Sequence, residues 1–189
     1  MRTGNLFVIS GPSGAGKGTL VARLLDKVPD TWLSISATTR APRGQEVDGR
    51  EYYFVSRERF EDLARNGQLL EWAEYSGNYY GTPLQSVRAH MDEGLQVILE
   101  IDVQGAFQVR EMIPEAHLVF IEPPSLEELK RRLVGRGTED EQAIQRRLEA
   151  AKQELSRKEE YDYVLVNDDL ESAVSQLVDY VNEQADKTK

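Results

Sequence analysis

The stretch Gly11-Pro12-Ser13-Gly14-Ala15-Gly16-Lys17-Gly18-Thr19 follows the apolar run Leu6-Phe7-Val8-Ile9. It precedes Leu20, Val21, Leu24 and Leu25, spaced for one face of a helix. A buried strand, a glycine loop and a helix opening at about Gly16 are the setting a phosphate-binding loop requires. Glycines at 11, 14 and 16 let the backbone curl so that successive N–H groups converge on a polyphosphate. The helix N-terminus adds partial positive charge at the same place. Lys17 brings a mobile full charge to the β and γ oxygens. The residue after the lysine is Gly18 rather than the usual serine or threonine, whose hydroxyl binds Mg²⁺; Thr19 comes one place later. The ion is therefore expected among waters and nucleotide oxygens, an arrangement Mg²⁺ tolerates well.

Outward from the loop, segments 6–10, 32–36, 96–102, 117–122 and 163–167 read as buried strands. Helical patterns at 17–27, 84–93, 105–112, 126–133, 139–158 and 170–183 separate most of them. Alternation of this kind predicts an α/β fold with a parallel sheet covered on both faces. Ligands then gather beyond the carboxyl ends of the strands, where the glycine loop already lies. Two stretches break the alternation. Residues 37–82 are polar and rich in Arg, Gly and Tyr, and read as an inserted lobe of short antiparallel strands with a helix at 58–66. Residues 125–147 carry Lys130, Arg131, Arg132, Arg136, Arg146 and Arg147, interrupted by Gly135-Arg136-Gly137, which reads as a hinged loop between two helices.

The 189 residues suit one domain with lobes. Hydrophobic content of 40% against 30% charged residues is that of a water-exposed globular chain. No apolar run is long enough to span a bilayer, and residues 1–5 lack a signal-peptide profile. With no cysteine, disulfide frameworks and thiolate metal sites are excluded, and the cytoplasm is the expected compartment. Basic residues number 23 against 33 acidic, for a net charge of −10. So acidic a body is a poor general binder of nucleic acid, and any polyphosphate ligand needs locally gathered cations.

Those cations are present. Arg40 and Arg43 follow a strand end, and Arg132, Arg136 and Arg147 lie on the glycine-hinged segment. The planar fork of arginine suits a bidentate grip on phosphate, and two clusters suggest two anionic groups held at once. Between them, the strand Val97-Ile98-Leu99-Glu100-Ile101-Asp102 ends in carboxylates placed to orient Mg²⁺ and its waters. Alternation puts Glu100 and Asp102 on one side. In the inserted lobe, Ser36, Glu71, Tyr52, Tyr80 and Thr82 are candidates. Glu71 sits among apolar neighbours in Leu69-Leu70-Glu71-Trp72 and needs a partner. Guanine supplies one, since its N1–H and N2–H₂ form a donor edge that a carboxylate accepts bidentately, while a serine hydroxyl donates to O6. Adenine mispairs with such a site, a discrimination of roughly 10⁴-fold. The histidines, His90 and His117, fall at structural positions and make no Ser-His-Asp pattern. Transfer onto a phosphate requires no general base, because the acceptor oxygen is already anionic, and positioning with charge neutralisation suffices.

With these motifs in hand, the chain resembles a guanylate kinase. The matching pieces are Gly11–Thr19, Ser36-Ala37-Thr38-Thr39-Arg40-Ala41-Pro42-Arg43, Asp48-Gly49-Arg50-Glu51-Tyr52-Tyr53-Phe54 and Gly77-Asn78-Tyr79-Tyr80-Gly81-Thr82. They continue with Glu100-Ile101-Asp102-Val103-Gln104-Gly105, Gly135-Arg136-Gly137 and Val166-Asn167-Asp168-Asp169, in the family's order over practically the whole chain. The resemblance implies a P-loop NTPase three-layer core (1–35, 84–124, 148–189), a GMP-binding lobe (36–83) and a helical lid (125–147). It implies transfer of the γ-phosphate of ATP to GMP, giving ADP and GDP with Mg²⁺, in purine nucleotide metabolism and GMP recycling. By position, Gly11, Pro12, Ser13, Gly14, Ala15, Gly16, Lys17, Gly18 and Thr19 bind ATP, with Asn167 against adenine. Arg40, Arg43, Tyr52 and Tyr80 grip the GMP phosphate, while Ser36, Glu71 and Thr82, with Glu100 and Asp102, face the rest of GMP. Lys17, Arg40, Arg132, Arg136, Arg147 and Asp102 act on the transferring group. Mg²⁺ is expected near Thr19, Glu100 and Asp102. Departures are Gly18, Glu100 where the family commonly has Asp, and the placing of Gln45 after Gly44. Two rivals stand beside this reading. One is a scaffold module binding partner peptides on the same fold; the other is a kinase of another phosphorylated small molecule.

Overall fold

The structure, a computed structural model, describes residues 2–135 and 141–187. Its centre is a sheet of five parallel strands in the order β2-β7-β1-β8-β9. These are β1 (Asn5–Ser10), β2 (Thr31–Leu33), β7 (Gln96–Glu100), β8 (His117–Glu122) and β9 (Tyr163–Val166). The lobe contributes β3 (Ala37–Thr38), β4 (Tyr53–Phe54), β5 (Leu69–Tyr75) and β6 (Asn78–Pro83). The helices are α1 (Lys17–Lys27), α2 (Arg57–Arg65), α3 (Leu84–Asp92), α4 (Val103–Met112), α5 (Leu126–Gly135), α6 (Glu141–Leu155) and α7 (Leu170–Asp186).

Strand β1 lies in the middle of the sheet and is buried on both faces, which is why it reads as an unbroken apolar run. Phe7 and Ile9 pack with Leu20 and Leu24 of α1 and Val174, Leu177 and Val181 of α7. Leu6 and Val8 point the other way, toward Val87 of α3 and Ala106 and Val109 of α4. Two helical layers therefore clamp one sheet, and the loop after β1 emerges at its carboxyl edge.

The expected strands all form, with shifted ends. The segment read as 32–36 pairs only over Thr31–Leu33, so Ser36 lies in the connection to the lobe. The segment read as 96–102 stops at Glu100, because the Asp102 carboxylate turns to accept the Gly105 N–H at 2.7 Å and caps α4. The lobe sheet runs β4-β3-β6-β5 and corrects one expectation: β3 and β4 pair parallel, not antiparallel. The chain between them, residues 39–52, is a long excursion rather than a hairpin, so it can return in the same direction. Phe60, Ala37 and Leu69 form the lobe's small core. Helices α5 and α6 carry a cluster of their own, Leu129, Leu133, Leu148 and Ala151. Part of the expected hinge at 135–137 lies outside the described residues; Gly135 closes α5.

Both histidines stack on aromatic rings, His90 on Trp32 at 3.7 Å between centroids and His117 on Phe7 at 5.0 Å. Among the described residues no helix is long and apolar enough to cross a membrane.

Candidate active site

The glycine loop takes its shape from backbone that side chains reject. Gly11 has φ 143°, and a Cβ there would stand 2.2 Å from the Ile121 carbonyl oxygen of β8. Gly16 has φ 93°, and a Cβ there would stand 2.4 Å from Nδ2 of Asn167. Asn167, buried just past β9, donates from that nitrogen to the Ala15 carbonyl at 2.8 Å and so braces the loop from behind. No side chain caps α1, whereas Ser56, Asp102 and Asp169 cap α2, α4 and α7. Nor is there an acidic residue in its first turn, so the positive end of α1 is left to an anion. Lys17 donates from Nζ to the carbonyl oxygens of Gly11 and Pro12, which folds its charge over the loop.

Cations from α5 and α6 converge on this loop. Arg147 donates to the Ser13 hydroxyl at 2.7 Å. Arg132 donates to the Asn167 carbonyl at 3.1 Å while paired with Glu128 at 3.0 Å. Arg136 lies outside the described residues. Across the loop, both Glu100 carboxylate oxygens stand 3.8 Å from where a Cβ on Gly18 would be. A carboxylate thus faces the first turn of α1 at the point where a hydroxyl is missing, with exposed Thr19 next along the helix. Among the described residues no cluster of three His, Asp or Glu side chains could hold a metal unaided.

A second centre lies between the core and the lobe. Ser36, Glu71, Tyr80, Ile101 and Asp102 surround a cavity of about 240 Å³. Glu71 is only 8% exposed, and its Oε1 accepts a hydrogen bond from the Thr82 hydroxyl at 2.6 Å. Burial pushes its carboxyl above the ordinary range; the Thr82 bond opposes this, and the nearby Asp102 charge adds to it. Such a group is primed to lower its energy by receiving donors. In the same lobe, Arg40 extends over the rings of Tyr52, at 5.2 Å, and Phe54, at 5.8 Å. The Tyr80 ring meets that of Tyr52 edge-on, at 6.1 Å between centroids. Arg43 is exposed on the loop that follows.

Asp102 of this second centre also lines a cavity of about 250 Å³ against α4 and α6 with Gln104, Gln153, Glu154 and Arg157.

A model of the guanylate kinase family matches residues 3–184. The chain belongs to this family. It is 56% identical over 175 residues to a guanylate kinase of Synechococcus sp. (strain CC9311), covering 93% of this chain and 92% of that one. It is 55% identical over 179 residues to the guanylate kinase of Rubrobacter xylanophilus, covering 95% and 94%. The crystal structure of guanylate kinase from Anaplasma phagocytophilum superposes with a TM-score of 0.76 at 38% identity, over 100% of this chain and 89% of that one. The fold is accordingly the α/β architecture of that family, with its five-stranded parallel sheet and phosphate loop.

Two residues around this guanylate kinase cleft escaped the sequence reading. Glu46 pairs bidentately with Arg40, at 2.9 Å for each bond. Nothing in the polar loop 41–51 marks that partner in advance. Glu154 of α6 is half-buried, and burial raises its pKa against the opposing charge of Lys17. Here a signal existed: Glu154 falls three places after buried Ala151, a carboxylate on the apolar side of an amphipathic helix.

Proposed function

We propose that the cleft at the carboxyl edge of the sheet transfers the γ-phosphate of ATP to GMP, giving ADP and GDP. The chain is a nucleoside monophosphate kinase of the guanylate kinase family, and the single observation carrying the residue assignment is the cavity bounded by Ser36, Glu71, Tyr80 and Asp102. There a buried carboxylate, shaped by the Thr82 hydroxyl, awaits a paired donor edge. Guanine has that edge and adenine does not. Thr82 on this reading acts through Glu71, holding one oxygen so that the carboxylate plane faces the base. Ser36 donates to O6.

Arg40, Arg43, Tyr52 and Tyr80 receive the GMP phosphate. Gly11 through Thr19 receive the ATP phosphates, with Lys17 over them, and Asn167 completes the donor side. Arg132, Arg136 and Arg147 gather the charge that spreads over the transferring group. The acceptor oxygen is an anion at neutral pH, so no side chain has to remove a proton. The protein's task is alignment and neutralisation.

Mg²⁺ fits the residues present. Glu100 against Gly18 and the carboxylate of Asp102 would hold it through water, beside Thr19, and when bound it would neutralise polyphosphate charge. Residues 36–83 are read as the GMP lobe and 125–147 as the lid, both closing on the core formed by 1–35, 84–124 and 148–189. Closure would exclude water that otherwise accepts the phosphate. The cytoplasm, where free nucleotides are exchanged, is the matching compartment. The test is a coupled assay of ADP release: GMP with ATP and Mg²⁺ should give stoichiometric ADP and GDP. A chain that binds peptides but releases no ADP would turn the reading to a scaffold module.

A further inference from the structure

Arg40 is 9% exposed, and a guanidinium that deep needs a fixed partner. Glu46 supplies it. Its Oε2 accepts from Nη1 and its Oε1 from Nη2, each at 2.9 Å, while Nη1 also donates to the Ala41 carbonyl at 2.9 Å. Both Nη1 protons are thereby used, and one of the Nη2 protons. Glu46 is itself tied down, because its Oε2 accepts the Arg43 N–H at 2.7 Å and its own N–H donates to the Arg43 carbonyl at 3.0 Å. The Arg40 backbone N–H is anchored on the Thr38 hydroxyl at 3.2 Å. The Glu46 carboxyl is held down to about 2, first by the Arg40 bonds and then by the Arg43 N–H, so it stays charged throughout the working range. Tyr80, whose ring meets that of Tyr52 edge-on at 6.1 Å between centroids, lines the base cavity.

We propose that Glu46 is a positioning residue for GMP: it occupies the inner edge of Arg40 and presents the outer edge, Nε–H and the remaining Nη2–H, to the acceptor phosphate. This rests on the GMP reading of the lobe. Glu46 touches no substrate and acts through Arg40. An arginine already held by a carboxylate, the Ala41 carbonyl and the rings of Tyr52 and Phe54 loses little further freedom on binding phosphate, which is how preorganisation raises affinity. The same pairing lowers the net charge of the empty lobe, so attraction for anions falls chiefly to Arg43.

The test is steady-state kinetics with GMP and ATP varied separately, in Glu46→Ala, Glu46→Gln, Arg40→Ala and the double variant Arg40→Ala/Glu46→Ala. Glu46→Ala should raise KM for GMP roughly tenfold, the scale of re-freezing one long side chain, with KM for ATP and kcat at saturating GMP within about twofold. Glu46→Gln, which keeps the shape and one acceptor, should move KM for GMP in the same direction by less. In the Arg40→Ala background, removing Glu46 should change nothing further. An unchanged or lowered KM for GMP in both Glu46 variants would overturn the proposal, since Glu46 would then compete with phosphate. So would an equal loss with Arg40 already absent, or a joint shift of kcat and both KM values, which would mark a merely structural role. Failure of the unaltered chain to phosphorylate GMP would instead remove the functional reading, and this inference with it.

Discussion

Replacing Glu71 by glutamine tests the base pocket while leaving its shape almost intact. A carboxylate facing two N–H donors makes two charge-assisted hydrogen bonds, each worth about 1.5–3 kcal/mol. Glutamine keeps one acceptor and turns an NH₂ toward a donor, so one bond is lost and the other becomes neutral. The cost is about 3 kcal/mol, or roughly 10²-fold in KM for GMP. The Thr82 hydroxyl, 2.6 Å from Oε1, biases the amide so that its oxygen faces Thr82 and its NH₂ faces the base. ATP meets none of these atoms on this account, and its KM should stay within about twofold. Stability separates a binding effect from damage. Burial raises the folded-state pKa of Glu71, so its ionisation costs the fold stability as pH rises above the ordinary carboxylate range and through the folded value. The neutral glutamine escapes that cost, and Glu71→Gln should melt no lower than the parent at neutral pH. The assay is initial rates with each substrate varied, alongside thermal melting. Equal losses for GMP and ATP, or a change under threefold for GMP, would refute the guanine assignment.

Lys17→Ala removes a charge acting on the transferring phosphate, and kcat should fall by roughly 10²–10³-fold; a melting temperature close to the parent's, checked by calorimetry, is expected from a half-buried side chain. Gly105 in the first turn of α4 leaves room for Glu71, since a Cβ there would stand 3.1 Å from Oε2. Gly105→Ala should therefore weaken GMP binding several-fold in titration calorimetry while ATP binding holds and stability stays level, alanine being about 1 kcal/mol better than glycine inside a helix. GMP together with a non-hydrolysable ATP analogue should compact the protein in small-angle scattering, as both lobes close on the core. An unchanged radius of gyration would argue against closure.

The phosphate loop was legible because its spacing is a steric requirement: Gly11 and Gly16 touch a carbonyl and an amide where no Cβ fits. The central strands β1, β7 and β8 were legible because strands buried on both faces must be apolar throughout. Lobe pairing was not. Strands as short as Ala37–Thr38 and Tyr53–Phe54 carry no periodicity, and their parallel register depends on where a long excursion returns. Site residues fared in the same way. Glu71 could be singled out as a group needing a partner, since a carboxylate among apolar neighbours demands one, yet the Thr82–Glu71 bond is a cross-strand contact of β5 and β6. Asp102 was placed on a strand and instead caps a helix, because its carboxylate accepts the N–H of Gly105 three residues on, which the strand's own alternation does not register. The Arg40–Glu46 pair is a matter of loop geometry, to which the order of residues gives no clue.

A panel of nucleoside monophosphates, each incubated with ATP and Mg²⁺ and followed by identification of the products, bears most directly on the buried carboxylate as reader of the base. GMP should be converted to GDP, with kcat/KM exceeding that for AMP by roughly 10⁴-fold. Comparable conversion of AMP, or ADP release without any GDP, would contradict the account.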